Sequence, residues 1–380
     1  MGVVFNIGYL GVMLFGSGRL IEGLTRGAIP LAWSIGLMTG AFLFYSLMGG
    51  LVAAVWNNLI QGLMTVVMSF LLVPFVWKAV GGVAGIHAKI PNLDTTFSLI
   101  ATGHIGLFWI VMAHINQLVS VVAQPSIMAN TAAGKREIDG RVGWVGGTAL
   151  KRLCTIAWAL VGVLAIGYYG KGAMHGDHVF GALIHDLLPL GFVGPMIACI
   201  MASVMDGGAG LVLSSSALFT RNVLRTFQKQ ENTRRELLIS RIFSVVFTFA
   251  SLALALTFTD MPAAIRFTWQ VVPLMGISFW MGLFWRRANR YGAWASFLAA
   301  SVALLVGHSI FRWEGDSGFP KLAAFYLSTG LIAGAVVSLM TPREPERQLD
   351  RFYLTINTPV GQEALLEAFE KGELAVKAGS

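Results

Sequence analysis

Three groups of polar residues lie inside otherwise apolar stretches, where each could do chemistry. The first is Trp56, Asn57, Asn58 and Gln61. The second is His114, Asn116, Gln117, Ser120 and Gln124, followed by Pro125. The third is Ser203, Asp206, Gly207, Gly208, Gly210 and Ser214 to Ser216. Ser203, Asp206, Gly210 and Ser214 are spaced i, i+3, i+7 and i+11, which puts them on one stripe of a helix. A carboxylate at the centre of a membrane helix costs about 2.5–3.5 kcal/mol on insertion scales. Asp206 must therefore be paired with a cation, protonated or hydrogen-bonded. The structural alternative is a small-residue packing face, with Asp206 bonded to amides of a neighbouring helix.

Around Pro125 the sequence predicts a helix that breaks. Proline removes one backbone donor, and its ring opposes the carbonyl four residues earlier. Broken helices near the bilayer midplane are how secondary transporters build binding sites. His114, Asn116, Gln117 and Gln124 are the candidates for contacts to a solute. The competing reading is a proline kink whose freed groups are satisfied by these same amides.

The segments that carry these groups are those of an integral membrane protein. The chain has 380 residues, 56% of them hydrophobic and 12% charged, with a mean hydropathy of +0.70. Soluble domains carry about 25% charged residues. Ten stretches have the roughly 20 apolar residues that a spanning helix needs: 3–22, 29–48, 54–77, 98–123, 146–168, 190–219, 236–257, 262–285, 290–311 and 322–341. They predict an all-α bundle of about ten membrane helices over 1–341 and a polar tail over 342–380. An amphipathic stretch is expected near the end of that tail, over 363–375.

The net charge of +8 does not point to nucleic acid, because the basic residues fall in short clusters between apolar runs. Alternate loops carry fourteen Lys and Arg on one side and eight on the other. The positive-inside rule puts the richer side, and with it the C-terminal tail, in the cytoplasm of a plasma (inner) membrane. Cys154 and Cys199 lie in apolar runs and suggest neither a disulfide framework nor a metal site. No phosphate-binding glycine loop, zinc spacing or nucleophile elbow appears, so no enzymatic activity and no cofactor is expected.

Four stretches together resemble the sodium/solute symporter family, which includes sugar, proline and pantothenate transporters. They are YSLMGGLVAAVWNNLIQG (45–62), AQPSIMA (123–129), IACIMASVMDGGAGLVLSSSALFTRNVL (197–224) and GLFWRRANRYGAWA (282–295). The resemblance implies a leucine-transporter-like fold with inverted five-helix repeats. It also implies uptake of a small polar solute (a sugar, amino acid or carboxylate) from within the lipid bilayer, driven by sodium or by protons. The cation would be held by Asp206, Ser203 and Ala202 together with Asn58. Most of the family has further helices before the one at 3–22, so the resemblance implies an N-terminally truncated frame that would not by itself perform coupled transport. The family's adjacent hydroxyl pair for sodium reads Asp206-Gly207 here, and its Trp-x-Asp reads Trp56-Asn57-Asn58. A different class of function, a non-transporting sensor or membrane scaffold, is compatible with these departures.

Overall fold

In the computed structural model, residues 2–48, 51–90, 98, 105–132, 134–227, 233–358 and 369 are described, and every extended regular element among them is helical. In chain order the helices are α1 (Gly2–Leu24), α2 (Leu31–Met48), α3 (Leu51–Val80), α4 (Gly82–Lys89) and α5 (Leu107–Val121). They continue with α6 (Pro125–Ala132), α7 (Glu137–Tyr169), α8 (Gly176–Leu187), α9 (Leu190–Phe219) and α10 (Thr233–Ala255). The last five are α11 (Met261–Val271), α12 (Pro273–Phe284), α13 (Arg290–Ser309), α14 (Gly315–Met340) and α15 (Glu346–Asn357). The end of α9 widens into a π-helical turn over Thr220–Leu224.

Among the described residues, eight helical stretches are long and apolar enough to cross a membrane, and α2 and α5 add two shorter apolar ones. Each of the ten expected segments therefore carries helix. Two of the expectations change in detail. The segment at 262–285 is two helices, α11 and α12, divided at Pro273. The last spanning helix begins at Gly315, seven residues before the expected 322. The polar run after Thr341 contains a helix, α15, and the stretch expected to be amphipathic at 363–375 lies, Phe369 aside, outside the described residues.

The chain forms two compact units, 1–101 with 145–268 and 102–144 with 269–380. In the first unit α1 is central and touches α2, α8, α9 and α10. Leu10, Leu14 and Phe15 of α1 are fully buried there with Ile35, Met38 and Phe42 of α2. Gly208 of α9 faces this core, and a Cβ on it would stand 2.6 Å from the Phe42 ring, so only glycine lets the helices approach so closely. In the second unit α13 and α14 form a hairpin that packs with α5 and α12 around Tyr326, Phe319 and Leu322. Large apolar side chains such as Trp33, Leu37, Phe44 and Trp294 remain exposed. On spanning helices that surface is solvated by lipid rather than water.

Candidate functional site

In the first unit, the chemistry centres on the contact between α9 and α3. The hydroxyls of Ser203 and Thr65 lie 2.9 Å apart. Each also donates within its own helix, Ser203 to the Cys199 carbonyl and Thr65 to the Gln61 carbonyl, both at 2.9 Å. One proton per hydroxyl cannot serve both bonds at once, so oxygen lone pairs remain between the helices. The Gln61 side-chain oxygen is buried and has no hydrogen-bond partner among the described residues. Asp206 stands one turn beyond Ser203, half-buried and engaged in a contact of its own. Ala202 is also half-buried, while the side chain of Asn58 lies outside the described residues.

The expected stripe on α9 is divided between two neighbours. Ser203 faces α3, whereas Ser214 meets α1 through Asn6. The Asn6 amide is fully buried and donates to Ser215 Oγ at 2.8 Å and to Ser214 Oγ at 3.1 Å. Between these ends, a Cβ on Gly210 would meet nothing within 4 Å, so the middle of the stripe is open. Thr65 and Asn6 were not among the sequence candidates. Each is a polar residue in an apolar helix but lacks the charge that singles out Asp206.

In the second unit, α5 ends at Val121 and α6 starts at Pro125, which occupies the first position of its helix. The break expected from the sequence is present. A second break, at Pro273, faces it. Having no N–H, Pro273 leaves the carbonyl of Trp269 four residues earlier without its helical donor. Asn116 of α5 supplies one, its Nδ2 lying 2.8 Å from that carbonyl. The Asn116 oxygen in turn accepts from the buried hydroxyl of Tyr326 on α14. The exchange is reciprocal. Trp280 of α12 donates its indole N–H, at 3.1 Å, to the Leu118 carbonyl in the unpaired last turn of α5. Backbones also touch, since a Cβ on Gly276 would lie 2.0 Å from the Val119 carbonyl oxygen.

The four solute candidates are thus placed differently. Asn116 is fully buried with both ends of its amide engaged. His114 is exposed, with Nδ1 2.7 Å from the carbonyl of Ile110. Gln117 and Gln124 are half-buried on either side of the break.

A third polar cluster ties α8 to the end of α1. Asp186 pairs with Arg26 and accepts from Tyr169 Oη at 2.7 Å and from His185 Nδ1 at 2.9 Å. Burial pushes the Asp186 carboxyl up, but the bonds from Arg26, His185 and Tyr169 together outweigh it and hold the group below the usual carboxylate range. Asp177 accepts the backbone N–H of Met261 at 3.0 Å, and Arg19 donates to the Thr259 carbonyl at 3.0 Å. The chain segments near 19–26, 169–186 and 259–261 therefore meet at one end of this unit, as the alternation of loops requires.

The family model for the sodium:solute symporter family matches residues 2–300. The chain belongs to that family. As a member it is an integral, multi-pass α-helical membrane protein of a transporter family. It is 23% identical over 364 residues to the osmoregulated proline transporter OpuE of Bacillus subtilis, covering 90% of this chain and 69% of that one. It is 21% identical over 369 residues to the sodium/pantothenate symporter of Haemophilus influenzae, covering 91% of this chain and 70% of that one. The human sodium/myo-inositol cotransporter is 26% identical over 201 residues, which are 47% of this chain and 28% of the relative. A solved structure of a Na+-coupled sialic acid symporter, in a substrate-bound outward-open state, matches with a TM-score of 0.71 at 17% identity. The match covers 90% of this chain and 73% of that one, and it shows the shared, leucine-transporter-like fold.

Proposed function

We propose that this chain serves as a secondary transporter that couples a sodium gradient to the uptake of a small polar solute. The observation that carries the cation half is the meeting of Ser203 and Thr65 hydroxyls between α9 and α3, with the unpartnered oxygen of Gln61 nearby in sequence and Asp206 one turn on. Oxygen donors of this kind suit a hard cation. Asp206, Ser203 and the Ala202 carbonyl, with Asn58, are the proposed cation ligands. Protons are the rival, because a desolvated carboxyl gains affinity for a proton. The solute half rests on the paired breaks at Pro125 and Pro273. His114 and Asn116 belong to the helix that supports the break, and Gln117 and Gln124 are the proposed contacts. The names of the relatives supply the candidate solutes: proline, myo-inositol, pantothenate and sialic acid. The membrane is proposed to be the plasma (inner) membrane, with the tail on its cytoplasmic side.

Binding tests this without requiring transport. A ligand at 100 times its dissociation constant stabilises the folded protein by about 2.7 kcal/mol. The purified chain is expected to unfold at higher temperature in sodium chloride than in choline chloride, and Asp206→Asn is expected to remove that difference. A response to pH but not to sodium, lost in the same variant, would assign the site to protons. If Asp206→Asn retains the full sodium shift, Asp206 is a packing residue and the assignment is wrong. The four solutes, each added with sodium, then report which one the chain binds.

A further inference from the structure

The sequence GLFWRRANRYGAWA contains a loop that lies outside the proposed cation and solute sites, and the structure gives it a task. Its residues grip the chain beyond the last spanning helix. Asn289 donates to Thr341 Oγ1 at 2.7 Å and to the Pro342 carbonyl at 2.9 Å. Glu344 accepts the backbone N–H of Arg290 at 3.1 Å. Arg286 pairs with Asp350 of α15 and lies 5.0 Å from the centroid of the Tyr353 ring. Tyr353 in turn donates to the Gly282 carbonyl at 2.7 Å. The helix after Pro345 is therefore held against the last turn of α12.

That position fixes its depth. The end of an apolar spanning helix marks the edge of the hydrocarbon, and aromatic residues concentrate there. Phe284, at the end of α12, is 76% exposed and stacks on Trp280, and Trp294, early in α13, is 66% exposed. The residues of α15 are patterned to match. Leu349, Phe352, Tyr353 and Ile356 follow i, i+3, i+4, i+7 and form one apolar face. Leu349 and Tyr353 are half-buried against the protein, whereas Phe352 and Ile356 are 47% and 45% exposed. Arg347 and Arg351, four residues apart, lie on the opposite flank.

We propose that α15 lies in the plane of the membrane interface, with Phe352 and Ile356 inserted at the boundary of headgroups and acyl chains. The partner is the lipid surface of the leaflet where α12 ends. Lipid, rather than another protein, is the occupant because the exposed pair continues the aromatic collar of the spanning helices at the same level. An amphipathic helix with one apolar face and arginines on the other flank is the kind that settles there.

The test uses the full chain in vesicles of phosphatidylcholine and phosphatidylglycerol. Phe352→Cys, Ile356→Cys and, as an outward-facing control, Thr355→Cys would each carry an environment-sensitive fluorophore. The parent chain, whose two cysteines are buried, serves as the blank. Labels at 352 and 356 are expected to emit further to the blue than the label at 355. They should lose their emission to lipids bearing a shallow nitroxide and keep it in aqueous iodide. Quenching by iodide equal to that at 355 would place the face in water and overturn the proposal. Protection from both quenchers would place it against protein and overturn it equally. Two labelled positions on the same face keep the test open if one variant fails to fold.

Discussion

Asn116 and Pro273 are 157 residues apart and act as one device. The proline frees a carbonyl inside hydrocarbon, and the amide occupies it. Leucine at 116 keeps the branched outline but leaves the Trp269 carbonyl and the Tyr326 hydroxyl unpaired. Leaving a buried polar group unsatisfied costs about 1–3 kcal/mol, and bonds between membrane helices average lower, about 0.6 kcal/mol. Asn116→Leu is therefore expected to lower the stability of the purified protein by about 1–2 kcal/mol, read from thermal unfolding. Pro273→Ala restores a backbone donor for Trp269, so in that background the loss should shrink to the Tyr326 share. An unchanged loss would mean that Asn116 does not serve the freed carbonyl. Both readings of Asn116 were open from the sequence, because an amide near a proline can bind a solute or mend a helix. Only the position of Trp269, 153 residues away, favours mending. Thr65 and Asn6 carry no charge, and an uncharged threonine or asparagine in an apolar run gives no pattern until its partner helix is in place. Asp206 needed no partner to stand out, since its charge alone is costly there.

Helices were far more legible than their contacts, because length and hydropathy are local properties. Pro273 carries the same signal as Pro125, yet the 24 residues of 262–285 make a spanning helix of ordinary length, which conceals the break. The start of α14 was hidden by Asp316, Pro320 and Lys321, which look like loop residues. Twelve-residue α8 is too short for the same criteria, and its place depends on buried Leu183 and Ile184 and on the Arg26–Asp186 pair, which join it to distant parts of the chain. Close approach is the other property a linear pattern conceals. Gly276→Ala would drive a methyl group into the Val119 carbonyl, which is backbone and cannot rotate away. Overpacking of this kind costs about 1–3 kcal/mol. A lowered unfolding temperature is expected, with Gly282→Ala, whose Cβ meets nothing within 4 Å, as the neutral control. For α8 the expectation is a dependence on pH. The folded-state pKa of Asp186 is depressed. Its contribution is thus present above the unfolded value of about 3.9 and is lost as pH falls through the folded value. Asp186→Asn should be less stable than the parent at neutral pH, and the difference should close in acid. A difference that persists unchanged at low pH would remove the carboxylate from the account.

At the scale of the whole molecule, the loop charges divide the chain into two faces, and the contacts near Arg26, Asp186 and Met261 join loops that share one of them. With Lys135→Cys and Lys171→Cys, an impermeant thiol reagent added outside intact cells should label position 171 and spare 135. The reverse pattern would invert the orientation. The division into two units has a further consequence, which concerns synthesis. The second unit is discontinuous, built from residues 102–144 and 269–380. Asn116 leaves the ribosome 210 residues before Tyr326. At about 5–20 residues per second that interval is about 10–40 s. For most of it, α5 must wait at the insertion machinery or in the lipid with an amide whose acceptor, the Trp269 carbonyl, comes 153 residues after Asn116 and whose donor comes later still. The first half of the broken pair is a helix that the nascent chain has to hold in trust for its end.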